Sequence, residues 1–156
     1  LSDGECDAVP LGQPDDIVFA QKGFTKLGDS LEVIPVLQFN VIAARRDWAE
    51  KNRATAVGFA RAFGNAYKFM RDPANREEVV KMVMDTTGSN EAIARQTLSL
   101  YFDPERGVVP KQGEIEMKGF AQVIQVMAEA GELKSPLPLA DRFVDLQYLR
   151  AAGVMK

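Results

Sequence analysis

The stretch Gln38-Phe-Asn-Val-Ile-Ala-Ala-Arg-Arg-Asp-Trp48 lies where the pattern of apolar residues along the chain changes. Residues 39–44 are apolar except for Asn40, which is typical of a strand covered on both faces in an α/β sheet. From Trp48 onward the apolar residues recur with a period of about 3.6, which predicts helices. The stretch therefore predicts a strand that leads directly into a helical region.

Two further strands are predicted upstream, at residues 6–11 and at residues 31–36. Between them, a turn at Gly12-Gln13-Pro14 leads into a helix that ends at Gly23. Open α/β sheets usually have about four to six strands, so we expect further strands to precede Leu1. The upstream part thus predicts the tail of an α/β unit.

Downstream, the sequence predicts five helices, each with an apolar stripe on one face. Proline after Asp72 and after Asp103 ends a helix, because the ring excludes the helical conformation for the preceding residue. Gly88 ends another helix, and Gly131 supplies the left-handed residue that closes a further one. The predicted helices are 48–71, 73–87, 90–102 with Ser89 as its cap, 114–130, and a short one containing Phe143, Leu146 and Leu149.

The composition excludes several classes of function. The 156 residues have a net charge of −3 and are 46% hydrophobic, and no stretch gathers Lys and Arg without interleaved acids, so nucleic acid is not an expected partner. The chain has one Cys and no His, which excludes an intrachain disulfide, a Cys/His zinc site and a Ser-His-Asp triad within these residues. No metal or cofactor is expected.

Several short segments resemble those of a known family, the extracytoplasmic solute-binding proteins of ABC importers, in the branch that binds nitrate, sulfonates, taurine and thiamine precursors. The resemblance covers essentially the whole chain, and it depends on the order and spacing of the segments. They are Gly4-Glu-Cys-Asp-Ala8 followed by Gln13-Pro14, Ala20-Gln-Lys-Gly-Phe24, Ala44-Arg-Arg-Asp-Trp-Ala-Glu-Lys-Asn52, Asp72-Pro-Ala-Asn-Arg-Glu-Glu78, Gly131-Glu-Leu-Lys-Ser-Pro136, Phe143-Val-Asp145 and Tyr148-Leu149.

The resemblance implies a type II periplasmic-binding-protein fold, which is α/β and bilobed and holds its ligand in a cleft between the lobes. The chain is similar to the C-terminal half of that fold and is rich in helix. Residues 1–37 would finish the second lobe, residues 38–45 would form a strand crossing the hinge, and residues 46–156 would complete the first lobe. We also expect the isolated segment to self-associate, because its sheet edges would be uncovered.

The function implied by the resemblance is transport, not catalysis. The protein would bind a small solute and deliver it to the membrane permease of an ABC importer, in the periplasm or another extracytoplasmic location. Two alternatives stay open. One is a thiamine-pyrimidine synthase of the same superfamily, an enzyme that uses His and pyridoxal phosphate; the absence of His from these residues weighs against it. The other is a ligand-sensing or interaction domain of a larger regulator.

The first predicted site is the loop after the first predicted strand, because ligands of open α/β sheets bind at the carboxyl ends of strands. Its residues are Gly12, Gln13, Pro14 and Asp15. Gly12 allows close approach to the backbone, and the Gln13 amide offers both donors and an acceptor. The alternative interpretation is that Pro14 and the acids only begin a helix. Asp15 and Asp16 would also repel an anion placed there.

The second predicted site is the start of the hinge-crossing strand, with Gln38, Phe39 and Asn40. A polar pair that flanks an aromatic ring could hydrogen-bond and stack on a small ligand. Phe39 is more often a core residue than a ligand platform. Asn40 is harder to explain by packing, because a buried amide must find hydrogen-bond partners.

A third group, Arg45 and Arg46 beside Asp47, could bind an anion. Such a cluster directly before a helix is usually solvated surface. Trp48, which follows it, is assigned to the apolar stripe of the long helix.

Overall fold

The computed structural model describes residues 1–104, 107, 109 and 113–155 of the chain, and it is helical. These residues contain eight α-helices and two single turns of 3-10 helix. Within the described part, no helix is long and apolar enough to cross a membrane. The α-helices are α1 Asp15–Gln21, α2 Ser30–Val33, α3 Arg46–Lys51, α4 Arg53–Arg71, α5 Arg76–Thr87, α6 Glu91–Tyr101, α7 Met117–Glu129 and α8 Gln147–Ala151; the 3-10 turns are Pro73–Asn75 and Ala140–Arg142.

The predicted α/β class is wrong, because the described residues contain no strand. Residues 6–11 are irregular and exposed, and part of the second predicted strand is the short helix α2. Residues 38–44 are also irregular, and they make no backbone-to-backbone hydrogen bond in the part of the chain that is described. Aromatic and β-branched residues favour a strand only when a neighbouring strand pairs with it. The bilobed type II periplasmic-binding-protein fold is therefore not the fold of this chain. The predicted boundaries between parts of the chain, after residues 37 and 45, stay a prediction.

Two compact units are present, each made of two separate stretches of sequence. The first unit comprises Leu1–Asp29 and Ala74–Gly107, and the second comprises Ser30–Pro73 and Val108–Lys156. Each unit thus contains helices from the middle and from an end of the sequence.

The first unit is built on a hairpin of α5 and α6, which pack against each other. Gly88, at a φ of 69°, ends α5, as the sequence predicts. Asn90, and not Ser89, caps α6, because its side-chain oxygen accepts a hydrogen bond from the Ile93 amide at 3.0 Å. The apolar core contains Val79, Val80, Ile93, Ala94 and Leu98, all buried.

Arg95 joins the outer faces of the same two helices. Its two terminal nitrogens donate to the two Glu77 oxygens at 3.0 and 2.6 Å, and its Nε donates to Glu91 at 2.9 Å. The bond from Arg95 lowers the pKa of Glu77, and both acids raise the pKa of Arg95. Because the groups are exposed, this network contributes more to the alignment of α5 and α6 than to stability.

The second unit is organised around α4, which packs against α3 and α8. The predicted helix 48–71 is present but interrupted at Asn52, whose side-chain amide donates to the Trp48 carbonyl at 2.9 Å. Gly64 of α4 is buried, and so are Ala152 and Val154 at the end of the chain. The last long helix, α7, packs against the 3-10 turn Ala140–Arg142.

Polar side chains join the start of α4 to the C-terminal helix. Arg53 donates to the Gln147 side chain, and its guanidinium lies 5.4 Å from the centroid of the Tyr148 ring. Asp145 accepts from the Gln147 side chain at 2.7 Å and from the Gln147 backbone at 3.1 Å, and it lies 3.7 Å from Arg46. These bonds, with the Gln147 side chain first, lower the pKa of Asp145.

Thr97 provides a test of the α5–α6 core. Its side chain is 3% exposed, and its hydroxyl has no hydrogen-bond partner among the described residues. Replacing the hydroxyl by a methyl group removes a desolvation penalty at nearly constant volume, so Thr97→Val should raise the free energy of unfolding by about 1 kcal/mol. Urea denaturation followed by circular dichroism measures this change.

Thr86→Val is the matched control, since Thr86 is exposed on α5 and its hydroxyl donates to the Met82 carbonyl at 2.7 Å. It should change the free energy of unfolding by less than about 0.5 kcal/mol. A clear loss of stability in Thr97→Val, with the control unchanged, would mean that the Thr97 hydroxyl is satisfied in solution.

Asp145 predicts a pH dependence. Its pKa is lower in the folded chain than in the unfolded chain, so its contribution to stability is complete above the unfolded value of about 3.9 and is lost as the pH falls through the folded value. The unfolding midpoint should therefore fall less steeply below about pH 4 in Asp145→Asn than in the wild type. Asp141→Asn, at an exposed acid with no ion pair in the described part, should keep the wild-type slope. Equal slopes in all three proteins would contradict the assignment.

Candidate functional site

The predicted site residues belong to different units. Gly12, Gln13, Pro14 and Asp15 lie in the first unit, whereas Gln38, Phe39 and Asn40 lie in the second. Contrary to the prediction, the first group does not lie at the end of a strand, because residues 6–11 form no strand.

The first group surrounds the start of α1. Pro14 is the residue before the helix, and the Gln13 side-chain amide donates to Asp16 at 2.9 Å. Asp16 also accepts from the Ile17 backbone at 2.8 Å. Gly12 has no atom within 4 Å of the position that a Cβ would occupy. These contacts favour the interpretation in which the group begins a helix, and ligand contact by Gln13 stays a prediction.

Both ends of the Gln38 amide have partners within the chain. Its oxygen accepts from the Glu116 backbone at 2.8 Å, and its nitrogen donates to the Asn40 carbonyl at 2.6 Å. Glu116 in turn caps α7 by accepting from the Lys118 backbone at 3.0 Å. Gln38 thus fastens its own segment to the start of α7.

Phe39 and Asn40 are the members of this group that face solvent. Phe39 is 55% exposed, so it is not a core residue. Asn40 is exposed, and its side-chain amide makes no hydrogen bond among the described residues. The sequence predicts ligand contact by all three residues of the group, and the geometry leaves two of them available for it.

Gly119 on α7 is a positioning residue that the sequence analysis missed. A Cβ at this position would lie 2.5 Å from the Gln38 backbone nitrogen and 2.7 Å from the Leu37 carbonyl carbon. The backbone of residues 37–38 therefore lies directly on α7 where there is no side chain. The available signal was an isolated glycine inside a helical pattern, which often marks close packing.

A shallow depression of about 380 Å³ lies at α3 in the second unit. On one side of it, Arg45 holds both oxygens of Asp47, with Nε at 3.1 Å and a terminal nitrogen at 2.6 Å. The lining residues are Ala44, Arg45, Asp47, Trp48, Lys51 and Asn52. Within the described residues, no group of three or more His, Cys, Asp and Glu side chains could hold a metal ion.

Comparison with known proteins gives a partial similarity to a transport component. The chain is 33% identical over 87 residues to the bicarbonate transport ATP-binding protein CmpC of Synechococcus elongatus, and equally to the same protein of a second Synechococcus strain. The matched residues are 54% of this chain and 13% of each relative, so the chain spans a small part of the proteins it resembles. No family model matches the chain, and no solved structure matches it. The similarity supports an ABC-transport context.

Gly119→Ala tests the contact between the Gln38 segment and α7. The new methyl group would meet backbone atoms that cannot rotate away, so the free energy of unfolding should fall by about 1–3 kcal/mol. Gly58→Ala is the control, because Gly58 is an exposed residue of α4 with no atom within 4 Å of its added Cβ. This variant should gain about 0.5–1 kcal/mol from helix propensity. A gain in both variants, measured by urea denaturation, would contradict the packing of residues 37–38 on Gly119.

Proposed function

We propose that the chain binds a small solute as part of an ABC import system and passes it to the importer's membrane permease. The observation that supports this most is the 87-residue similarity to the bicarbonate transport ATP-binding proteins. The resemblance of the short sequence segments to solute-binding proteins of ABC importers also indicates ABC transport. Delivery to a permease would require an extracytoplasmic location, which belongs to the same proposal.

Among the predicted site residues, Phe39 and Asn40 form the surface that is most suited to solute contact. Gln38 holds the segment against α7 through two hydrogen bonds, so the two side chains are presented by a fixed backbone. An exposed phenyl ring offers an apolar face, and the free amide of Asn40 offers donors and an acceptor. Preorganisation of this kind lowers the entropy cost of binding.

A second candidate is a ligand-sensing or interaction domain of a larger protein. The relatives are ATP-binding proteins, and the matched region is 13% of their length. The small share of the relatives that is matched favours a role as a segment of a longer protein, which would bind a solute as a signal and not transfer it to a permease. Solute delivery and ligand sensing both require solute binding, and they differ in where the chain is located.

Thermal denaturation of the 156-residue chain against a panel of solutes tests the shared requirement. The panel contains bicarbonate, nitrate, taurine and a thiamine precursor, each compared with sodium chloride at equal ionic strength. A solute that binds only the folded chain should raise the Tm progressively with concentration, by several degrees at about 100 times its Kd. No concentration-dependent shift with any member of the panel would contradict both candidates.

Asn40→Ala should reduce that shift without lowering the Tm of the unliganded chain, because Asn40 is exposed and makes no side-chain hydrogen bond in the described part. Asn65→Ala, at an exposed position of α4 in the same unit, should leave the ligand-induced shift unchanged. A normal shift in Asn40→Ala would remove Asn40 from the contact surface. Cell fractionation of the natural host then distinguishes the two roles by the location of the chain. Delivery to a permease needs an extracytoplasmic chain, whereas sensing as part of an ATP-binding protein needs a cytoplasmic one.

A further inference from the structure

Trp48, which is the single tryptophan of the chain, is 44% exposed at the depression on α3. Tryptophan is highly buried on average, because its indole has a large apolar surface. Here Trp48 and Ala44 are the apolar residues that line a depression of about 380 Å³, and the other lining residues are Arg45, Asp47, Lys51 and the uncharged Asn52. An exposed aromatic ring beside a hollow of this size is suited to a small molecule that has an apolar body.

The charges around the hollow favour an anion. Two cations, Arg45 and Lys51, and one carboxylate, Asp47, line it. Both oxygens of Asp47 are engaged by Arg45, which also lowers the pKa of Asp47 and keeps that pair ionised. The Lys51 ammonium has no ion pair among the described residues, so it supplies the unbalanced positive charge.

The hydrogen-bonding groups point to the same class of ligand. Lys51 offers three N–H donors and the Trp48 indole offers one. Asn52 is oriented by the bond from its side-chain nitrogen to the Trp48 carbonyl at 2.9 Å. An exposed indole can also attract a cation, but Lys51, which has no ion pair among the described residues, would repel a cation at this position.

We propose that the Trp48 depression is a binding site for a small monocarboxylate with a flat apolar body, whose carboxylate pairs with Lys51 and whose body packs on the indole. A fully hydrated inorganic anion would gain little from the apolar lining residues, and a neutral aromatic molecule would gain nothing from Lys51. Because the hollow is shallow and open to water, the affinity is roughly millimolar. This proposal does not depend on solute transport or on Phe39 and Asn40.

Benzoate is the probe, and the indole N–H is the reporter. A chain labelled uniformly with 15N has one indole N–H cross-peak, since it has one tryptophan. Titration with sodium benzoate should move this peak along a saturable curve. Benzamide, the neutral analogue, and sodium chloride at equal ionic strength should move it much less. Equal shifts with benzoate and benzamide would mean apolar contact alone and would overturn the proposal.

Lys51→Gln should weaken benzoate binding about fivefold, whereas Lys51→Arg should keep it, because the charge is retained. Lys68→Gln is the matched control, since Lys68 is an exposed lysine of the same unit that does not line the depression. Unchanged binding in Lys51→Gln, or an equal loss in the control, would also overturn the assignment. A benzoate-dependent shift together with a negative solute panel would leave this site intact and contradict only the two candidate functions proposed above.

Discussion

Backbone hydrogen bonding is the constraint on which the structure depends. Apart from the groups at its two ends, a helix satisfies its N–H and C=O groups within its own length, whereas an extended segment needs a second segment beside it. Residues 38–44 have no backbone partner in the described part of the chain, so they contribute no sheet. Order in each unit comes from its helices, which bury small residues such as Ala94 on α6 and Gly64 on α4. On α7, Gly119 lets the irregular backbone of residues 37–38 lie directly on the helix.

The helices could be predicted because their signals are local. Gly88 and Gly131 have the positive φ that their places after predicted helices require, and proline follows the last residue of α4 by two positions. Three details differ from the prediction: Asn90 caps α6 in place of Ser89, Asn52 interrupts the long helix, and α8 contains Leu149 but not Phe143 or Leu146. The strands could not be predicted in the same way. An apolar run such as Phe39-Asn-Val-Ile-Ala-Ala44 has the composition of a strand, but its pairing depends on residues elsewhere.

The candidate site shows a similar limit for polar side chains. Gln13 and Gln38 have the chemistry of ligand-binding amides, yet Gln13 donates to Asp16 and both ends of the Gln38 amide bond to the chain. A sequence pattern cannot distinguish a side-chain amide that hydrogen-bonds within its own chain from one that is available to bind a ligand. Trp48 is the converse case. Its spacing assigns it to the apolar stripe of one long helix, but it lies on the separate short helix α3 and is 44% exposed.

The irregular segment 38–45 carries Phe39 and Asn40 and leads into the Trp48 depression on α3, and its two ends are fixed differently. At one end, Gln38 bonds to the start of α7 and its backbone rests on Gly119. At the other end, Arg45 is the residue before α3, and its carbonyl accepts the first helical hydrogen bond, from Ala49 at 3.0 Å. Between these points Phe39, Val41 and Ile42 are exposed. The segment is thus held without being buried, which is the combination that a contact surface requires, because binding then orders few additional residues.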